Sequence, residues 1–141
     1  MSTLKVAKVE SPDTSDGGIT ISSAGLVTVA AASGSISAIS VAASDTTKTL
    51  DFATSNNFEL TLANTSSCTL ANPSNLAAGQ SGSIFIVQDG TGSRLLTYGT
   101  KWDFIGGTAP TLTTTASAVD RIDYVVRSTS KIHAVFTANY S

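Results

Sequence analysis

The sequence predicts an all-β fold: a small antiparallel β-sandwich or barrel preceded by an extended β-type N-terminal arm. Three observations predict it. Short runs of Ile, Val, Leu and Phe alternate with polar residues at the two-residue period of a strand, and Gly, Pro, Asn and Asp punctuate them. Charged residues make up only 13% of the 141, about half the usual ~25%. Ser, Thr, Asn and Gly stand in their place, and Thr and β-branched residues suit a pleated surface. Helical patterning is absent. The best helix candidate, residues 71–78, contains Pro73 and stops at Gly79, so a single short turn is expected there.

Residues 1–44 have a character of their own and are read as an extended arm or assembly segment. Leu4, Val6 and Val9 form a short apolar stretch, and the run from Ser11-Pro12 to Gly17-Gly18 is a strong turn signal. Strands are expected over residues 19–22 and 26–30, linked by Ser23-Ala24-Gly25, and residues 33–43 repeat the style with Ile36, Ile39 and Val41. Side chains this small bury little area against a chain-entropy cost of roughly 1–2 kcal/mol per residue. The segment is therefore expected to lie on a neighbour or to intertwine with copies of itself.

Residues 45–141 read as a denser sandwich or barrel domain. Phe58, Leu60 and Leu62 alternate with Glu59 and Thr61, a half-buried strand. Residues 84–87 are apolar on both faces and predict a central strand. Asp89-Gly90-Thr91-Gly92-Ser93 reads as a turn, with Leu95, Leu96 and Tyr98 returning, so residues 84–98 are expected to form a hairpin. Gly106-Gly107 with Pro110 marks another loop. Along residues 119–126, Ile122, Tyr124 and Val126 share one face while Arg121, Asp123 and Arg127 share the other. Ser128-Thr129-Ser130 then turns into 131–137, with Ile132, Ala134 and Phe136 inward. These last two strands are expected to pair antiparallel.

Composition restricts the function classes. The net charge is −2 and the eight basic residues are scattered, whereas a nucleic-acid binder shows a basic stripe. A surface of hydroxyls and amides is inexpensive to desolvate in a large subunit contact. One cysteine, Cys68, excludes an internal disulfide and a cysteine-based metal site. The opening residues have no apolar signal core, and no run approaches the ~18 apolar residues of a helical span. The simplest expectation is a chain made and folded in a cytosol, with no membrane insertion.

Pieces of the second part also carry a resemblance. Phe58-Glu-Leu-Thr-Leu62, Thr69-Leu-Ala-Asn-Pro73, Ala78-Gly-Gln-Ser-Gly82 and Gln88-Asp-Gly-Thr-Gly-Ser-Arg94 come in that order. Trp102-Asp-Phe104, Pro110-Thr-Leu112 and residues 120–126 follow. In this order they resemble a β module that recurs in bacteriophage virion proteins, mainly tail-fibre-like and other particle-surface proteins, over roughly residues 56–137. Met-Ser-Thr-Leu-Lys-Val at the start, with Gly18-Ile-Thr-Ile-Ser-Ser-Ala-Gly25 behind it, looks like the opening of many marine phage fibre and virion proteins. The resemblance implies a virion protein made in the host cytoplasm, assembling as a homotrimer or other multimer and contacting major capsid or tail proteins. It implies no cofactor and hands over no catalytic residue. A capsid decoration (cement) protein is the first expectation, because the module fills most of the chain. A tail-fibre or tail-tip component, or a small carbohydrate-binding module for host attachment, is the alternative.

The reactive residues fit the same background. Nucleophilic catalysis needs a base beside the nucleophile, and the one histidine, His133, falls at an outward strand position. Cys68 reads as a small half-buried strand residue. Asp120 and Asp123 point to opposite faces of a strand and flank Arg121, so ion pairing is expected in place of acid–base work. Asp13 and Asp16 flank a loop and read as turn residues before calcium ligands. Asn64-Thr65-Ser66 is a sequon that reads as a turn. No catalytic or metal residue is expected, and the chain is not read as an enzyme.

The candidate contact residues for a host-surface glycan or a protein partner are Trp102, Tyr98 and Asp103: two aromatic platforms and a hydroxyl acceptor. Asp89, Gly90, Gly92 and Arg94 are structural turn residues. Gly90 and Gly92 are expected at positive φ, with Asp89 bonding the backbone two residues on and Arg94 paired with Asp120 or Asp123. Trp102 and Phe104 are also natural plugs for a core of small side chains.

Overall fold

The computed structural model describes residues 35–140, together with the backbone of three short strands before them. The chain divides into two units, Met1–Gly34 and Ser35–Ser141. In the first, β1 (Val9–Glu10), β2 (Gly18–Ile21) and β3 (Val27–Thr28) form an antiparallel sheet in the order β1-β2-β3. Ile21 pairs with Val27 and Val9 with Ile19. The strands expected over 19–22 and 26–30 are thus present. Asp13 and Asp16 lie outside the described residues.

The second unit begins earlier than residue 45. β4 (Ile36–Val41) belongs to it as the edge strand of its main sheet. The 1–44 boundary is corrected for a physical reason: Val41 is fully buried in the core of the second unit, so strand and core cannot be parted.

The remaining strands are β5 (Thr47–Lys48), β6 (Asn57–Leu62), β7 (Cys68–Leu70), β8 (Ser81–Gln88), β9 (Leu96–Tyr98), β10 (Trp102–Phe104), β11 (Val119–Ser128) and β12 (Lys131–Thr137). Six of them form a mixed sheet in the order β10-β12-β11-β8-β6-β4, and three form a second sheet in the order β5-β7-β9. The chain alternates between the two sheets from β4 to β10. Each pass through the main sheet is followed by a short strand in the other, so β4, β6 and β8 lie parallel and so do β5, β7 and β9. Three stacked coils result. The β11–β12 hairpin then returns antiparallel beside β8, and β10 runs parallel to β12 at the far edge.

Two expectations are corrected here. The sheet is not wholly antiparallel, and residues 84–98 are not a hairpin: β9 leaves β8 to pair with β7 in the second sheet. The alternation of apolar residues sets which face a residue takes, and it carries no information on strand direction. Direction is set by where the 89–95 loop is fastened, and that loop is tied sideways. The Ser93 N–H donates to the Thr114 carbonyl (2.8 Å) and the Ser117 N–H to the Asp89 carbonyl (2.9 Å).

The expected strand faces hold. Phe58, Leu60 and Leu62 are buried on β6, and β8 is central, with Ile84 and Ile86 buried. Ile122, Tyr124 and Val126 are buried on β11. Ile132 and Ala134 are buried on β12, and Phe136 packs against the same core. Residues 71–78 contain no helix. One core serves both sheets, with Cys68 and Leu70 from β7 meeting the main-sheet residues. Aromatic rings tie it together. Phe52 stacks on Phe58 (centroids 5.6 Å) and on Tyr124 (4.7 Å), and Trp102 meets it edge-on at 6.4 Å. Offset and edge-on pairs of this kind add about 0.5–1.5 kcal/mol beyond their buried area.

Gly82, Gly92 and Gly99 each permit a close backbone approach, and the first two are the tightest against backbone. A Cβ at Gly82 would stand 1.8 Å from the Asn56 carbonyl oxygen, the same oxygen that accepts the Tyr124 hydroxyl at 2.8 Å. Gly92 combines a φ of 73° with a site where a Cβ would meet the Thr114 carbonyl oxygen at 2.5 Å, so no other residue fits there without movement.

Candidate functional site

The residues singled out in the sequence separate into a clasp and a surface. The clasp is the loop between β8 and β9. Asp89 Oδ1 accepts the backbone N–H of Thr91 (3.0 Å) and of Gly92 (2.8 Å), the expected turn bond. The Asp89 carboxylate also takes the Arg94 guanidinium, with Nη2 at 2.7 Å and Nε at 3.1 Å from Oδ2. Buried Gln88 completes the loop: its amide donates to the Arg94 carbonyl (3.0 Å) and accepts the Arg94 N–H (2.9 Å). Arg94 Nη1 reaches the Asn64 carbonyl at 3.3 Å.

Arg94 therefore pairs with Asp89, and the expected pairing with Asp120 or Asp123 is corrected. Both of those carboxylates are occupied. Asp120 is buried and accepts the N–H of Thr113 (2.7 Å) and of Asn139 (2.8 Å). Asp123 bonds the Ser83 hydroxyl (2.6 Å) and pairs with Arg121 (2.8 Å), as the flanking arginine suggested. Positive φ falls on Gly92 and Ser93, not on Gly90. The Arg94 hydrogen bonds, helped by the Gly92 and Thr91 N–H groups, pull the Asp89 carboxyl down to about 2 against an opposing desolvation. The Gln88, Asp89 and Arg94 side chains are thus engaged in bracing the loop and tying it to its neighbours.

The expected glycan platform is not assembled. Trp102 is only 6% exposed, and its Nε1–H donates to the Ala71 carbonyl at 3.1 Å. Its role is the core plug, and a platform is ruled out by burial. Tyr98 is half-buried, edge-on to Phe104 at 4.8 Å. Its hydroxyl is shielded from solvent with no partner among the described residues. That burial pushes its pKa up, with the Asp120 charge adding to it. Asp103 follows Trp102 on β10 and so points to the opposite face, where it pairs with Lys131 at 3.0 Å. One residue of strand phase separates the acceptor from the ring it was meant to serve.

The outward face of β10, β12 and β11 carries an open depression. His133 sits opposite both Asp103 and Val125, and Val135 sits opposite Asp123. These residues, with Ile105, line a depression of about 440 Å³. Its apolar members stand in water: Ile105 is 78% exposed, and Val125 and Val135 are each about half exposed. Its acids are engaged by Lys131 and Arg121. Sequence reasoning placed His133 outward but did not see this patch, because the valines and the isoleucine come from three separate elements.

Reactive chemistry finds little support here. Among the described residues no three His, Cys, Asp or Glu side chains gather in a metal-holding group. Cys68 is fully buried, not half-buried as expected, and burial raises its thiol pKa, the opposite of an activated nucleophile. Asn64 of the sequon is 2% exposed. Its amide nitrogen ties the Ser66 carbonyl (2.7 Å) and the Leu95 carbonyl (3.0 Å), so it is a loop brace out of reach of any modifying enzyme. No protein-family model matches this chain, and no curated protein or solved structure matches it.

Proposed function

We propose that the chain is a structural protein of a virus particle, a capsid decoration (cement) protein that acts through packed surfaces. The observation that supports this reading best is the outward face of the main sheet. Val125, Val135 and Ile105 are exposed around the depression, while Asp103 and Asp123 beside them are paired with Lys131 and Arg121. Such a face suits docking on protein, since the two carboxylates beside its apolar members are already paired. The resemblance over residues 56–137 supplies the virion setting.

In this reading the two sheets make a small β-sandwich standing on the shell. The N-terminal segment is the arm that fastens it to major capsid proteins or sister copies. A glycan-binding module is disfavoured by the burial of Trp102. The test is copy number. The chain is quantified against the major shell protein in purified particles by mass spectrometry. Copies in proportion to shell subunits are expected. A few copies per particle would move the protein to the tail fibre or tail tip, and absence from particles would overturn the reading.

A further inference from the structure

The two edges of the main sheet are unlike each other. β10 is three residues long, carries the Asp103–Lys131 ion pair and runs into the turn at Ile105–Gly107. A short charged edge of this kind resists adding another strand. β4 has none of these guards. It is six residues long, Ile36-Ser-Ala-Ile-Ser-Val41, and residues 33–44 contain neither a charge nor a proline. Among the described residues nothing pairs with its outer side.

The hydrogen bonds identify which groups are open. The Val41 carbonyl accepts the Ala63 N–H at 2.9 Å, so Val41, and with it Ile39 and Ser37, turn their backbone groups toward β6. Ile36, Ala38, Ser40 and Ala42 turn theirs away. Those of Ala42 are taken by the following turn: its N–H donates to the Asp45 carboxylate (2.7 Å) and its carbonyl accepts the Asp45 N–H (3.0 Å). The open row is Ile36, Ala38 and Ser40.

We infer that β4 is a self-association edge, pairing antiparallel with β4 of a second copy about a two-fold axis at Ala38. Residues opposite each other in a sheet share a face, and two-fold pairing brings outward-bonding positions together only in certain registers. Centring on Ala38 meets both conditions with the longest overlap. Ala38 then faces the partner's Ala38, and Ile36 faces the partner's Ser40. About six main-chain hydrogen bonds form, two for each facing pair of open residues. The smallest side chain lies on the axis, and half-buried Ile39 gains cover beside its own core.

The missing charge argues for a second copy over another partner. In a symmetric pair any charge near the axis meets its own kind, whereas a foreign strand places no such demand. The pairing is isologous, so it builds dimers. A homotrimer, expected from the resemblance, needs a head-to-tail contact that this edge does not provide. The contact deepens the proposed assembly role and rests on it for its setting. The test needs no particle, so its failure and that of the copy-number test are distinguishable.

The full chain is examined by analytical ultracentrifugation at micromolar concentration, and a dimer is expected. A38P removes only the outward N–H, which an edge strand tolerates. It should weaken dimerisation at least about tenfold, since symmetry doubles the lost bond, while leaving the melting temperature of the fold in place. A38K, which sets two lysines against each other, should do the same. A38C should cross-link under mild oxidation, because bonded antiparallel partners sit about 5.5 Å apart, within disulfide reach. S40C should not, because its counterpart lies roughly 13 Å away along the strand. A monomer, a trimer indifferent to A38P and A38K, or S40C cross-linking as readily as A38C would each overturn the inference.

Discussion

Replacing Gly82 with alanine should destabilise the fold well beyond what one methyl group suggests. The φ of Gly82 is not in the left-handed region, so alanine adopts the backbone freely, and β propensity alone favours the change. The cost is steric. The new Cβ would stand 1.8 Å from the Asn56 carbonyl oxygen, where non-bonded heavy atoms settle near 3.5 Å, so strand and turn must part by more than about 1.5 Å. That movement breaks the Tyr124–Asn56 bond at 2.8 Å, about 1 kcal/mol, and overpacking adds about 1–3 kcal/mol. Together they come to roughly 3 kcal/mol, or a drop of roughly 12 °C in melting temperature for a domain of this size.

Two controls sharpen the measurement. A Cβ at Gly90 would enter open space, with no atom within 4 Å, and its φ is not positive, so G90A should be neutral or slightly stabilising. Y124F alone should cost about 1 kcal/mol. Combined with G82A it should add almost nothing, since the bond is already broken. The assay is thermal and urea unfolding of these variants and the parent by circular dichroism. A G82A melting point within two or so degrees of the parent would refute the close approach, and full additivity with Y124F would refute the shared oxygen.

Phe58→Ala removes a fully buried ring stacked between coils and should cost about 3–5 kcal/mol in urea unfolding. Asp89, held down to about 2 in the fold, contributes stability that is fully present above the ordinary value of 3.8. That stability is lost as pH falls from there through about 2. Melting temperatures of D89N should accordingly lie below the parent at pH 6 and converge on it near pH 2. Cys68, buried with a raised pKa, should resist a thiol-reactive dye in the native protein and label fully in denaturant. Prompt native labelling would contradict the coil packing around β7.

The faces of the strands were legible in the sequence, and their partners were not. The Ile122-Asp123-Tyr124 phase and the Phe58-Glu59-Leu60 phase fix which side of the pleat is wet, and both match the buried residues. Nothing in Leu96-Thr97-Tyr98 says that it joins Cys68–Leu70 in another sheet. That follows from tethers such as Ser93 to Thr114, which sequence spacing hides. Asp89 and Arg94 lie close enough in the chain to be paired by inspection, yet the distant aspartates looked equally available until Thr113 and Asn139 were seen to occupy Asp120. The glycan candidates failed on strand phase and burial: Trp102 and Asp103 are neighbours in sequence and occupy opposite faces. The outward patch was hidden because its members belong to β11, β12 and the turn after β10.

The placement of β8 also governs the order in which the molecule is built. Its parallel neighbour β6 precedes it, but its antiparallel neighbour β11 arrives only after the segments of β9 and β10 have been made. During synthesis the central strand therefore waits with one row of backbone N–H and C=O groups unpaired until the chain is complete through Ser128. Pairings between such distant segments form slowly and leave intermediates prone to aggregate. Refolding yield should depend on protein concentration for that reason, and the sparse charge that suits the finished surface offers the unfinished chain little protection.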